Sequence, residues 1–112
     1  WSTRCEICHV EFPKLNRLIK GYDGKKVVFL SLTTENEEKV EAYLKKNPLE
    51  TQILPNSFGI LLQYADRDKN GNLDMGYPSY YVVNETGNIE FRSSGYDKTP
   101  ALNLALTRLL SK

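Results

Sequence analysis

Long apolar runs are missing from this sequence: none approaches the roughly 18 consecutive apolar residues that a membrane-spanning helix needs. An excess of one charge is missing too. Fifteen basic residues stand against fourteen acidic ones, for a formal net charge of +1. Both signs are scattered and no basic stripe alternates with aromatics, which argues against a nucleic-acid partner. Cysteine is scarce, with two in 112 residues. They stand so close together that a bridge between them would remove little entropy from the unfolded chain. A secreted mini-protein held by disulfides carries more cysteines at wider spacings, so a chemical or metal-binding role is expected for this pair. No tandem repeat or low-complexity tract is present, and with apolar content of 40% the chain reads as one small soluble domain with a single core. Trp1-Ser2-Thr3-Arg4 has none of the marks of a signal peptide, but that excludes little, because the chain reads as starting in mid-domain.

Ile7, Val10, Leu15, Leu18 and Ile19 recur at mainly helical steps, which predicts an amphipathic helix from about Cys5 to Lys20, ended by Gly21 and Gly24 and bent by Pro13. Lys26-Val27-Val28-Phe29-Leu30-Ser31-Leu32 is apolar nearly throughout, as expected of a central or parallel strand buried on both faces. Thr34-Glu35-Asn36-Glu37 has the form of a capping box, followed by the helical stripe Val40, Tyr43 and Leu44 until Pro48 stops it. The stretch 49–76 is open between helix and strand. Ser79-Tyr80-Tyr81-Val82-Val83 and Asn88-Ile89-Glu90-Phe91-Arg92 are rich in strand formers, and Asn84-Glu85-Thr86-Gly87 joins them as a hairpin. Thr99 is the expected N-cap of a last helix, with Pro100 at its first position and Leu102, Ala105, Leu106, Leu109 and Leu110 on its apolar face.

A Cys-x-x-Cys at a helix start is chemically purposeful. Unpaired N–H groups of the first turn and the helix dipole stabilise a thiolate there. Cys5 is placed to be that thiolate, and Cys8, three residues on, is close enough to form a disulfide with it. In such a pair Cys5 attacks a substrate sulfur, a mixed disulfide forms, and Cys8 attacks Cys5 to release the reduced substrate; the reverse steps oxidise a dithiol.

The string from Trp1 to Pro13, read as Trp-x-x-x-Cys-x-x-Cys-x-x-Glu-x-Pro, and the segment Gly76-Tyr77-Pro78-Ser79-Tyr80-Tyr81 resemble the two signature regions of the thioredoxin superfamily. The first pattern is similar to that of its TlpA/ResA-like branch of bacterial extracytoplasmic oxidoreductases. The resemblance runs through Cys5 to Lys112 and is weakest over 49–76. It implies an α/β thioredoxin-like fold, with a mixed central sheet flanked by helices. It also implies a thiol-disulfide oxidoreductase, leaning to reduction or isomerisation, with no cofactor beyond the Cys5–Cys8 redox-active disulfide. Its partners would be proteins with thiols or disulfides and an upstream electron donor, and its place extracytoplasmic, periplasmic or lipid-anchored. By the same resemblance Pro78 is the cis-proline facing the cysteine pair, and the backbone of Tyr77 binds a substrate segment as an added strand. Pro13 matches the helix-kinking proline, and Glu11 an acidic residue that influences the thiols' proton transfers. A carboxylate there would raise the thiol pKa values by like-charge repulsion or shuttle a proton to or from Cys8, the alternative being a solvated helix residue. Trp1 belongs to the first pattern. Arg4 stands where the family commonly has a second aromatic, and Glu6-Ile7 replaces a dipeptide that often contains proline. Arg4 favours the Cys5 thiolate and Glu6 opposes it.

Other readings compete. Cys5-Glu6-Ile7-Cys8-His9 matches the c-type haem attachment motif, with His9 as axial ligand and Met75 as a conceivable second, although the expected strands do not suit a small helical cytochrome. A non-catalytic binding module could hold zinc or copper with the two thiolates and His9. The run Asp66 to Asp74 imitates the first nine positions of an EF-hand calcium loop but has Tyr77 where the bidentate glutamate belongs, so a polar turn explains it better. Tyr80 and Tyr81 are expected to pack on a sheet face with hydroxyls reaching water.

In the fold that this resemblance implies, a strand precedes the Cys-x-x-Cys helix and lies between those at Val27 and Tyr80. The domain is therefore expected to be N-terminally incomplete here, because an empty place in the sheet would leave two edges unpaired around a gap.

Overall fold

In a computed structural model the chain is described over residues 1–64, 66–67, 69–70, 73–74 and 78–111. The elements are α1 (Glu6–Lys20), β1 (Leu30–Leu32), α2 (Glu37–Lys46), β2 (Gln52–Leu54), α3 (Phe58–Tyr64), β3 (Asp66–Arg67), β4 (Leu73–Asp74), β5 (Ser79–Val83), β6 (Ile89–Ser94) and α4 (Thr99–Leu110). Among the described residues they form three two-stranded ladders: β1 with β2 in parallel, β3 with β4 antiparallel, and β5 with β6 antiparallel. The open stretch 49–76 thus contains a strand, a helix and a small hairpin.

Helix α1 passes through Pro13 without ending. Its inward face is Cys8, Glu11 and Phe12, with Leu15 half-buried. The apolar stripe suggested a different face, but Ile7 is 42% and Val10 51% exposed. The helix is turned so that a cysteine, a carboxylate and a phenyl ring meet the core. A pattern built on aliphatic residues could not register the first two.

Two clusters form the interior. Cys8, Phe12 and Leu49 centre one, against which Trp1, Tyr43 and Ile53 pack; Val82, Leu102 and Leu106 centre the other, with Phe29, Tyr80 and Phe91 around them. Leu15 packs against both. Between them runs a cleft of about 430 Å³ lined by Trp1, Cys8, the strand region 27–32, Pro78 and β5. This cleft corrects the expectation for the 26–32 segment. Only Leu30–Leu32 is strand, and Val28 (69% exposed) and Leu30 (52%) open outward instead of being buried on both faces.

Helix starts differ in detail from the sequence reading. Asn36, not Thr34, caps α2, its Oδ1 accepting the Lys39 N–H at 2.9 Å. Lys98 is the N-cap of α4 and makes no side-chain cap; Thr99 is already helical and buried. The β5–β6 hairpin is as expected. Asn84 Oδ1 accepts from the N–H groups of Thr86 and Asn88 at 3.0 and 2.9 Å, and Gly87 takes the positive φ of 90° that the turn requires.

Phe12→Ala is expected to lower the unfolding free energy by about 3–5 kcal/mol, and Val10→Ala to change it by no more than about 0.5 kcal/mol, in urea denaturation. The reverse order would mean that α1 is rotated the other way.

Candidate active site

The site is built on the first turn of α1. Cys5 has extended backbone (φ −84°, ψ 100°) and is itself the N-cap, its Sγ accepting the Cys8 N–H at 3.1 Å. Cys5 and Cys8 are joined by a disulfide, with Cα atoms 5.2 Å apart. Cys8 is fully buried and Cys5 half-buried, so one sulfur is within reach of solvent and the other is not. When the bond is reduced, the same N–H and the positive end of the helix dipole favour a thiolate at Cys5.

The segment leading into Cys5 is held from several sides. The Cys5 N–H donates to Ser2 O at 3.1 Å, and the backbone nitrogen of Trp1 donates to Leu32 O, at the end of β1, at 3.1 Å. The Trp1 ring meets Phe12 edge-on, with centroids 5.4 Å apart, and lies 5.9 Å from Tyr43. Most of the hold comes from Glu35. Its carboxylate accepts the Thr3 N–H at 2.5 Å and the Thr3 hydroxyl at 2.6 Å, and Lys39 Nζ lies 3.1 Å away. Partial burial by itself would raise the Glu35 pKa, but the hydrogen bonds from Thr3 and the charge of Lys39 outweigh it and hold the carboxyl below its ordinary value.

Glu11 follows Cys8 by one turn on the same face and is fully buried. Its Oε1 accepts the N–H of Asp97, a residue in the left-handed region (φ 62°) just before α4. Its Oε2 is buried with no hydrogen-bond partner among the described residues. It is therefore not the solvated helix residue that the sequence left open. Pro78 is buried and lines the cleft together with Trp1 and Cys8, and its carbonyl accepts the Gly95 N–H at 2.9 Å. Tyr77, and with it the peptide bond before Pro78, lies outside the described residues. Arg4 is exposed, its N–H donating to Ser2 Oγ at 3.2 Å.

The structure is similar over 98% of this chain, and 75% of the other, to a crystal structure from Chlorobium tepidum provisionally assigned as a thiol:disulfide interchange protein DsbE, with TM-score 0.73 and 19% identity. In sequence it is 32% identical over 93 residues to the thioredoxin-like protein YneN of Bacillus subtilis (strain 168). The chain belongs to the thioredoxin superfamily. No family model matches it. The match to YneN takes in 80% of this chain and 50% of that protein, so the chain spans about half the length of the curated relative.

His9 is exposed, with Nδ1 at 3.1 Å from the Tyr43 hydroxyl, and Met75 lies outside the described residues. No three His, Cys, Asp or Glu side chains converge among the described residues in a way that could hold a metal ion. In the calcium-like run, Asp66–Arg67 pairs with Leu73–Asp74 as a small ladder, while positions 68, 71 and 72 fall outside the described residues. No helix among the described residues is long and apolar enough to cross a membrane.

Sequence reasoning missed Glu35, Asp97 and the depth of Tyr80. Glu35 was absorbed into a capping box, which is how a carboxylate just before a helix reads when its partner lies 32 positions away. Tyr80 was expected to reach water, but its hydroxyl is buried. Glu35→Gln is expected to cost about 1 kcal/mol at neutral pH, less than the roughly 1.5–3 kcal/mol of a well-buried hydrogen bond to a charged group, because the carboxylate is partly solvated. A lowered folded pKa contributes stability that is complete above the ordinary carboxylate value of 4.5 and is lost as pH falls through the folded value. The variant should therefore lose less stability in acid than the wild type, and parallel pH curves in urea denaturation would contradict the clamp.

Proposed function

We propose that the chain is the redox-active part of a thiol-disulfide oxidoreductase of the TlpA/ResA-like branch. It acts outside the bacterial cytoplasm on protein disulfides and is recharged by an upstream electron donor. The observation that carries this reading is the asymmetry of the pair: Cys5, the half-buried helix cap, can be reached by a substrate, and Cys8, fully buried, can be reached only by Cys5. The names of the relatives point the same way, one a thioredoxin-like protein and the other assigned to thiol:disulfide interchange.

In the reducing direction the Cys5 thiolate attacks one sulfur of a substrate disulfide. A bond forms between Cys5 and that sulfur, the substrate's own S–S bond breaks, and the other substrate sulfur leaves as a thiolate that takes up a proton. Cys8 then gives its thiol proton to the Glu11 carboxylate and attacks Cys5 Sγ. The Cys5–Cys8 bond forms, the Cys5–substrate bond breaks, and the second substrate thiolate leaves and is protonated. Two electrons have passed to the substrate, and a dithiol donor must reduce Cys5–Cys8 before the next turn. Ile7 and Val10, exposed on α1 beside the cysteines, offer apolar contact to an extended substrate, and Tyr77 and Pro78 are assigned to its backbone.

Insulin reduction in dithiothreitol, followed by turbidity, should be faster than with dithiothreitol alone, and Cys5→Ser should return it to that background. Cys8→Ser should trap substrate as a covalent adduct that dithiothreitol cleaves. A wild-type rate equal to that of Cys5→Ser would overturn the assignment.

We also propose that in the full protein the cleft between β1 and β5 is filled by an extended apolar segment leading into Trp1. Trp1 is bonded to the end of β1 at the cleft, and Val28, Leu30 and Val83 leave apolar surface exposed around it. A longer chain carrying that segment should slow amide hydrogen exchange in β1 and β5 relative to residues 1–112; unchanged exchange would remove this proposal.

A further inference from the structure

Three buried oxygens, one on α1 and two on the β5–β6 hairpin, have no hydrogen-bond partner among the described residues: Glu11 Oε2, Tyr80 Oη and Ser93 Oγ. Tyr80 and Ser93 are paired across the hairpin and so present their side chains to the same face. A buried polar atom left unpaired is destabilising, so such groups are satisfied by protein or by internal water. Glu11 and Tyr80 are close enough to interact by charge. Burial, first, and the negative charge of Glu11, second, push the Tyr80 phenol far above its usual range. That phenol stays protonated throughout the working pH range and can act as a standing donor to a carboxylate. No hydrogen bond joins the two oxygens directly, and an internal water is the usual way such a buried pair is satisfied.

We propose that Tyr80 is a positioning residue for Glu11, its hydroxyl donating through one internal water to the carboxylate oxygen that Asp97 does not hold. The proposal rests on the reading of Cys5–Cys8 as a redox pair with Glu11 as the proton acceptor of Cys8. With Oε1 tied to the Asp97 N–H and Oε2 tied to Tyr80, the carboxylate is held in one orientation on the Cys8 face of α1, ready to accept the thiol proton. Among the described residues, Glu11 is tied to Asp97 on the loop before α4, where Tyr96 and Lys14 of α1 also meet. Lys14 is engaged there, 3.4 Å from both the Tyr96 hydroxyl and Asp97 Oδ1.

The test compares wild type, Tyr80→Phe, Glu11→Gln and the double variant. In reduced protein with carbon-13-labelled glutamate carboxyls, Glu11→Gln identifies the Glu11 signal. Its titration should move to higher pH in Tyr80→Phe, because a donor to the charged form has been removed. It should move to lower pH when Tyr80 is replaced by a fluorinated tyrosine, a stronger donor that keeps the ring in place. An unmoved Glu11 titration in both overturns the proposal. In insulin reduction Tyr80→Phe should be roughly tenfold slower, a modest share of what a positioned proton acceptor supplies, and it should slow Glu11→Gln no further. Additive losses would mean that Tyr80 does not act through Glu11. Absence of insulin reduction by the wild type would instead sink the redox reading, while the titration still decides whether Tyr80 and Glu11 are coupled.

Discussion

The face that α1 turns inward sets the position of each group at the site. With Cys8, Glu11 and Phe12 buried, Cys5 must lie at the rim, half-exposed, where the helix begins and where its sulfur can serve as the cap. Rotation of the helix about its axis would turn Cys8 or the carboxylate away from the core. Phe12 opposes any such rotation, because its ring is wedged against Trp1 and Tyr43 in the cluster that also contains Cys8. Packing and chemistry are thus the same constraint here: the ring that fills the core also decides which sulfur a substrate can meet.

Legibility in the sequence followed the range of each interaction. The Cys-x-x-Cys at a helix start, the hairpin and the final helix depend on neighbours within a few positions, and the residues themselves announced them. The rotation of α1 did not, because its buried face contains Cys8 and Glu11, neither of which belongs to the aliphatic stripe of that helix. Glu35 was hidden for a related reason. Its partner Thr3 is distant in the chain, while its local surroundings imitate a cap that Asn36 makes instead. The small elements between Leu49 and Gly76 were unreadable because each is too short for its own periodicity, β2 having three residues and α3 seven.

The two interior clusters explain why so much apolar surface stays open on a chain with otherwise ordinary thioredoxin-superfamily architecture. Each cluster is closed on its outer side, by α2 and Leu49 in one and by α4 in the other, and each opens onto the same cleft. Leu15 is the side chain that packs against both. The helix that carries the disulfide thus contributes to both clusters, with Cys8 and Phe12 in one, Leu18 against the other and Leu15 against both.

The Glu35 clamp ties the approach to Cys5 to a different part of the fold. Thr3 is fastened neither to its own helix nor to its sequence neighbours but to the junction between β1 and α2. The reach of the exposed sulfur is consequently governed by how that junction sits. A related chain without an acceptor at position 35 must find another home for the Thr3 N–H, or carry its first cysteine on a loose tether.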